Sequence, residues 1–159
     1  MTVLQRIEAL LAEQAVPHRR LEHAAVFTSQ EAADIRGEPI DIGGKALVMK
    51  LGDEEAFAVF VLSARLRTHG VAIRRHLGLR RLRFATREEL LDLTGLTPGC
   101  VPPFGPPIFP HLPLYVDESI ARNARIAFNA GDHGVSVIMQ VADYLPLAAP
   151  TAIFDFSRE

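Results

Sequence analysis

Two short segments contain the candidate functional residues of this sequence. Lys45 begins the apolar segment from Lys45 to Leu51, where a buried ammonium group is costly unless it faces a cleft or a partner. It is therefore either an anion-binding side chain or a solvent-facing strand end. The loop from Thr97 to Gly105 combines glycines, which let a ligand approach the backbone, with prolines, which lower the entropy cost of ordering. Such a loop either directs backbone N–H groups at an oxyanion or forms a rigid turn across the sheet.

Cys100 in this loop introduces a second type of chemistry. A thiol becomes a nucleophile when a neighbouring base favours its thiolate, and His111 is the candidate base. Nothing in the sequence shows that these two side chains are adjacent. A Cys100-dependent ester or thioester hydrolase is therefore an alternative hypothesis for this chain.

Three other common catalytic patterns are missing. The glycine-glycine-lysine triplet that ends at Lys45 is no phosphate loop, because Pro39 stands where a glycine is required and Ala46 where a hydroxyl is required. Ser136 does not lie in a G-x-S-x-G sequence. The six histidines lack the short spacings of a metal site. We therefore expect no serine-hydrolase mechanism, no catalytic metal and no cofactor.

The charge balance argues against a general attraction to polyanions. Seventeen basic and 19 acidic side chains give a formal net charge of -2, so any contact with nucleic acid must be local. An arginine-rich stretch could hold phosphates, or it could simply cover a helix face and the turn that follows. It comprises Arg74, Arg75, Arg80, Arg81 and Arg83.

The sequence also lacks targeting signals and paired cysteines. Residues 1–11 lack the basic start and apolar run of a secretory signal, and charges interrupt every apolar run before about 20 residues. Cys100 is the single cysteine, so no internal disulfide can form. We expect a cytoplasmic protein without a membrane contact.

The periodicity of apolar residues and the capping patterns predict the elements that position these segments. Helices are expected over 3–11, from Thr28 to Gly37, over 70–78 and from Thr86 through Leu93, with capping boxes at Thr28/Glu31 and Thr86/Glu89. The predicted strands are 45–51 and 56–62, which form a hairpin, then 82–85, 114–116, 125–129, 135–139 and 153–156.

The region from Gly95 to Pro113 holds seven prolines and three glycines, so it is expected to be an extended loop rather than a helix or a central strand. Helices and strands interleave irregularly along the chain. The sequence therefore predicts a mixed α/β (α+β) fold, with residues 1–159 forming one compact domain whose mixed β-sheet is flanked by helices.

The order of the segments resembles a known family. Phe27-Thr28 and the Glu31-Ala32-Ala33 helix come first, followed by Lys45-Ala46-Leu47-Val48-Met49-Lys50, the loop Leu96 to Gly105, and Phe128-Asn129-Ala130-Gly131. In this order they are similar to the YbaK and prolyl-tRNA synthetase-associated editing domain family. The match covers nearly the whole chain. The lysine strand and the P-G-x-V-x-P-F-G-like loop are a fairly specific pair.

The resemblance implies an aminoacyl-tRNA deacylase that hydrolyses the ester between a small amino acid and the terminal adenosine of a mischarged tRNA, tRNA-Pro or a similar one. Family members act on alanyl-, cysteinyl-, seryl- or threonyl-tRNA, and prolyl-tRNA synthetase is a possible partner. By this resemblance Lys45 holds the phosphate end of the substrate, and Gly99 to Pro103 positions the scissile carbonyl. The resemblance also implies that the neighbouring ribose hydroxyl helps to activate the water.

The substrate pocket is expected to contain further residues of these segments. They are Phe27, Ala46, Cys100, Val101, Pro102, Pro103, Asn129, Gly131 and His133. Some members of the family have a polar residue at the position of Ala46, and serine is frequent at that of Cys100, so the amino acid is not determined. A non-catalytic tRNA-binding or synthetase-associated module is the alternative of a different class, and the sequence leaves the oligomeric state undetermined.

Overall fold

The computed structural model describes residues 1–159, and its elements follow in chain order. The helices are α1 (Val3–Glu13), α2 (Ser29–Arg36), α3 (Gly70–Leu77), α4 (Arg87–Thr94), α5 (Glu118–Ala121) and α6 (Val141–Ala148), with a single 3-10 turn at Ile40–Ile42. The strands are β1 (His18–Glu22), β2 (Gly44–Leu51), β3 (Phe57–Ser63), β4 (Arg67–Thr68), β5 (Leu82–Phe84), β6 (Leu114–Asp117), β7 (Arg125–Asn129), β8 (Val135–Gln140), β9 (Ala152–Phe154) and β10 (Ser157–Arg158).

The main sheet has five strands in the order β5-β2-β3-β6-β9. Strand β2 pairs antiparallel with both β3 and β5, whereas β6 lies parallel to β3 and β9 lies parallel to β6. A second, antiparallel sheet has the order β1-β8-β7, and β4 and β10 form a short pair. The predicted mixed sheet and the β2–β3 hairpin are therefore confirmed.

Strand β3 is buried along its whole length because both faces of the main sheet are covered. Successive side chains of a strand point to opposite faces. Val59 and Val61 accordingly pack into a core of 25 buried residues, while Phe60 and Leu62 pack into a second core of eight. This two-sided burial explains the uninterrupted apolar sequence of the strand.

Hydrogen bonds at the helix N-termini confirm both predicted capping boxes. The Thr28 hydroxyl accepts from the Glu31 amide, the Thr86 hydroxyl accepts from the Glu89 amide, and each glutamate accepts from the amide of its threonine in return. Such a cap satisfies two amides that have no partner within the helix. The first box fixes where α2 begins, beside the end of β2 that carries Lys45.

The predicted long loop is also confirmed, since residues 95–113 contain no helix or strand. The buried hydroxyl of Tyr144 donates to the carbonyl oxygen of Pro103 at 2.5 Å, and the Gly131 amide donates to the carbonyl oxygen of Cys100 at 3.0 Å. The side chain of Phe104, within the loop, is fully buried. These contacts fix the loop against α6 and against the residues that follow β7.

Several elements differ from the sequence prediction. The C-terminal strand predicted for 153–156 is wrong in its second half, because β9 ends at Phe154 and the Phe156 amide donates instead to the Asp117 carboxylate at 2.6 Å. Strand β1, with the sequence HRRLE, is almost entirely exposed and has no apolar alternation. Helices α5 and α6 are likewise absent from the prediction, and α6 contains Pro146. None of the helices combines the length and apolar character that crossing a membrane requires.

Candidate active site

A cavity of about 230 Å³ lies where α2, the first residues of β2 and the proline-rich loop meet. Its walls are built by Phe27, Thr28, Ser29, Ala32, Arg36, Gly43, Gly44, Lys45, Ala46, Leu47, Ala64, Gly99, Val101 and Asn129. Strand β2 approaches β7 closely here, since a Cβ atom on Gly44 would lie 2.7 Å from Cδ1 of Ile126. Lys45 is the next residue of β2 and lines the cavity.

Lys45 is half-buried in the cavity wall. Its Nζ donates a hydrogen bond to the carbonyl oxygen of Leu66 at 2.5 Å, and burial lowers the pKa of this ammonium group. No carboxylate forms an ion pair with Lys45, unlike Lys50 on the same strand, whose Nζ lies 3.3 Å from a carboxylate oxygen of Glu55. A half-buried cation that lacks an acidic partner can bind an anionic ligand.

Arg36 is a second cation in the cavity wall, and sequence analysis did not identify it. Its side chain is only 9% exposed. Nε donates to Oγ of Ser136 at 2.8 Å, and Nη2 donates to Oδ1 of Asn129 at 2.9 Å. Burial lowers its pKa to about 10, so the group is still charged near pH 7. An arginine in the last turn of a helix is expected from the helix dipole alone, so no sequence signal distinguished it.

The cavity wall therefore contains two cations, Arg36 and Lys45, and no aspartate or glutamate. Its electrostatic potential favours an anion, because opposite charges nearby do not compensate these groups. The wall also contains no histidine and no cysteine. No group of three or more histidine, cysteine, aspartate or glutamate side chains forms a metal-binding cluster in the chain.

The proline-rich loop presents its backbone to the same cavity. Gly99 has a φ of +93°, a conformation that favours glycine, and its carbonyl oxygen accepts a hydrogen bond from Nδ2 of Asn129 at 2.8 Å. The amides of Gly99 and Val101 donate no hydrogen bond within the chain, whereas the amide of Cys100 between them donates to Thr97 at 3.4 Å. Two unpaired amides on a fixed loop are suited to bind an oxygen that gains negative charge.

The structure brings six of the predicted site residues together in the cavity wall. They are Phe27, Lys45, Ala46, Gly99, Val101 and Asn129. The other five predicted residues lie outside the wall. They are Cys100, Pro102, Pro103, Gly131 and His133.

These five residues shape the loop and the rim of the site. Pro103 and Gly131 take part in the backbone contacts that fix the loop, and Pro102 is buried beside them. The buried Sγ of Cys100 donates to the carbonyl oxygen of Thr97 at 3.3 Å. His111 is exposed and forms no hydrogen bond with the thiol, so the structure shows no cysteine–histidine dyad.

Phe27 and His133 form an aromatic pair at the rim. Phe27 is 70% exposed, and its ring centroid lies 4.7 Å from that of His133. His133 is held in place because its Nε2 bonds to the carbonyl oxygen of Pro98 at 3.1 Å. An exposed aromatic ring beside a cationic cavity is suited to stack on a nucleotide base.

A second depression, which we name the arginine groove, has a volume of about 440 Å³. Its walls comprise Lys50, Gly52, Asp53, Arg74, Arg80, Arg81, Leu82 and Arg83. Arg81 pairs with Asp53 and Arg83 pairs with Glu89, but no carboxylate pairs with Arg74 or Arg80. The arginines predicted to hold phosphates or to cover a helix therefore gather at one groove, with the exception of Arg75.

Comparisons of the sequence with known proteins find related chains. The profile of the aminoacyl-tRNA editing domain matches residues 23–147. The Escherichia coli (strain K12) multifunctional Ser/Thr-tRNA deacylase ProXp-y is 34% identical over 152 residues, which cover 94% of this chain and 90% of that protein. The proline–tRNA ligase of Staphylococcus aureus (strain Newman) is 25% identical over 122 residues, 77% of this chain and 21% of the ligase.

Two solved structures share the fold. The hypothetical protein APE2540 superimposes with a TM-score of 0.86 at 20% identity, over 96% of this chain and 99% of that one. A candidate trans-editing enzyme for prolyl-tRNA synthetase superimposes with a TM-score of 0.80 at 24% identity, over 100% and 99% of the two chains. The resemblance seen in the sequence is confirmed, and the chain belongs to the aminoacyl-tRNA editing domain family.

Proposed function

We propose that this chain is a deacylase that removes a small amino acid from a mischarged tRNA, with serine and threonine as the first candidates. Hydrolysis of the aminoacyl ester is the reaction of its family, and the E. coli relative is named a Ser/Thr-tRNA deacylase. One observation supports the proposal above all others. A cavity with two cations and no carboxylate adjoins a fixed loop on which two amides have no partner.

The chemistry follows from these parts. Lys45 binds the phosphate that precedes the terminal adenosine, which places the ester at the loop. The amides of Gly99 and Val101 bind the carbonyl oxygen and stabilise the negative charge that develops on it when water attacks. No histidine, cysteine or carboxylate lines the cavity, so the ribose hydroxyl next to the ester assists the water. Orientation and oxyanion stabilisation then supply the catalysis.

The cavity offers a defined space for the amino acid. Gly43, Gly44, Ala46 and Ala64 line one part of it, and their short side chains leave room there for the side chain of the substrate. A pocket separates two substrates that differ by one methylene by only about 1–3 kcal/mol. The size of the cavity therefore favours several small amino acids over a single one, and Ala46 offers no side-chain hydrogen bond that would select a hydroxyl.

The tRNA is proposed to contact the chain at two further places. Phe27 stacks on a base of the acceptor end. The arginine groove binds backbone phosphates through Arg74 and Arg80, whose charges are not compensated by carboxylates. The proposed substrate is tRNA-Pro or a similar tRNA in the cytoplasm, and prolyl-tRNA synthetase is a proposed partner because its S. aureus form contains a matching region.

The first test is the release of labelled amino acid from seryl-, threonyl-, alanyl- and cysteinyl-tRNA by the intact chain. We expect release of at least one of these amino acids well above the uncatalysed rate. Absence of release from all four, together with salt-sensitive binding of tRNA, would replace the deacylase by a non-catalytic tRNA-binding module.

A further inference from the structure

Arg36 is a buried cation in the cavity wall, and the mechanism proposed above gives it no role. Its guanidinium group has three nitrogen atoms that carry protons, and two of them are fixed by protein acceptors. Nε donates to Ser136 and Nη2 donates to Asn129, while Nη1 forms no hydrogen bond within the chain. Because Arg36 lines the cavity, this third nitrogen is available to a ligand there.

The surroundings of Arg36 do not neutralise its charge. Both acceptors are neutral, and no aspartate or glutamate forms an ion pair with it. A cation that is nine-tenths buried costs free energy unless a charged partner compensates it. A neutral side chain could hold Ser136 and Asn129 without the desolvation cost of a buried cation. The presence of a positive charge here therefore points to an anionic ligand.

The network behind Arg36 holds the guanidinium plane in place. The buried hydroxyl of Ser136 lies 2.8 Å from Nε2 of His23, which fixes it from the other side. Asn129 accepts from Arg36 through Oδ1 and donates to the Gly99 carbonyl through Nδ2. The position of Nη1 is therefore coupled to the position of the loop. Such preorganisation lowers the entropy cost of binding a ligand at this nitrogen.

We propose that Arg36 is a second substrate-binding cation, whose Nη1 binds the phosphate of the terminal adenosine together with Nζ of Lys45. The inference rests on the proposed function, which supplies the identity of the phosphate. An arginine offers a planar donor of fixed direction and a lysine a mobile point charge. Two such groups in the wall of one cavity suit the two free oxygens of one phosphodiester.

The test compares adenosine 5′-monophosphate with adenosine as probes, because the two differ only by the phosphate. Dissociation constants for both are measured by NMR titration at pH 7.5 on the wild type and on Arg36→Met, Arg36→Lys and Arg122→Met. Arg122 is the control, since it is exposed and bonds only to the Glu118 carbonyl. The readout is the ratio of the two dissociation constants, which does not depend on the fraction of folded protein.

We expect the wild type to prefer the phosphorylated probe, and Arg36→Met to reduce that preference about tenfold or more while adenosine binds as before. Arg36→Lys should retain part of the preference, because it keeps the charge but loses the planar donor. Arg122→Met should match the wild type.

The proposal is overturned if the wild type shows no preference, or if Arg36→Met retains it. It is also overturned if Arg74→Gln, a substitution in the arginine groove, removes the preference for the phosphorylated probe. Failure of the deacylation assay with an Arg36-dependent preference intact would remove the proposed function and leave the anion site.

Discussion

Replacement of Lys45 by methionine tests the proposed mechanism most directly. Methionine has nearly the length of lysine and is apolar, so the substitution removes the ammonium group and keeps most of the packing. The Nζ atom donates a single protein hydrogen bond, to the Leu66 carbonyl, and it has no carboxylate partner. Removal of this charge therefore breaks no ion pair within the protein.

The expected changes in kcat/KM and in stability follow from the contacts of Lys45 in the complex and in the free protein. In the complex, a charge-assisted hydrogen bond to phosphate contributes about 1.5–3 kcal/mol, so its loss lowers kcat/KM about 10- to 150-fold. In the free protein, the lost hydrogen bond to Leu66 is offset by relief from the desolvation of a half-buried cation. We therefore expect the free energy of unfolding to change by less than about 1 kcal/mol.

The assay measures release of labelled serine or threonine from mischarged tRNA, and urea unfolding of the same samples reports stability. Arg122→Met serves as the control, because it removes an exposed cation that does not line the cavity. A Lys45→Met protein that retains kcat/KM within twofold of the wild type would refute the phosphate-binding role. A large loss of stability would instead indicate that the lysine is structural.

The pH dependence provides a second readout of the same group. Burial lowers the pKa of Lys45, so its positive charge disappears at a lower pH than in a free lysine side chain. We expect kcat/KM, corrected for spontaneous ester hydrolysis, to fall as the pH rises through this lowered value. Lys45→Arg should shift the alkaline decrease to higher pH, because the guanidinium remains charged there. An identical alkaline decrease in Lys45→Met and in the wild type would contradict this assignment.

Three further predictions concern other parts of the molecule. Cys100→Ser should retain deacylation within about threefold, because the thiol is buried against Thr97 and no base contacts it; inactivation by this substitution would restore the thiol mechanism. The double variant Arg74→Gln and Arg80→Gln should weaken tRNA binding and reduce the slope of log K against log salt by about 1–2, as expected for one or two lost phosphate contacts; an unchanged slope would exclude the arginine groove as a tRNA contact. Tyr144→Phe should lower the free energy of unfolding by about 1–3 kcal/mol, because the buried Pro103 carbonyl loses its donor; equal urea midpoints for the variant and the wild type would contradict this account.

The local elements of this fold were predictable because neighbouring residues determine them. The capping boxes at Thr28 and Thr86 require only a hydroxyl and a glutamate three residues later, and both form as expected. The β2–β3 hairpin follows from two apolar segments around a charged turn. The prolines of residues 95–113 exclude regular structure wherever the chain places them.

Elements that depend on distant partners were missed for a physical reason. Strand β1 exists because β8 offers it hydrogen-bonding partners at the edge of the second sheet, and its own residues have neither the apolar alternation nor the β-branched side chains of a strand. Helix α6 forms despite Pro146, because its buried face packs into the larger core. Long-range pairing and burial supply this stability, and no local pattern encodes them.

The candidate site was likewise predictable in part. From sequence alone, Lys45 was a candidate anion-binding side chain, the Gly99 loop was a candidate for backbone contacts to a ligand, and the resemblance identified the family. Which side chains share one cavity became visible in the folded chain, where Arg36 joins the wall and Cys100 is buried outside it. The distinction arises because a residue type limits what a group can do, whereas burial and neighbouring charges, which the fold alone creates, decide whether it faces a ligand.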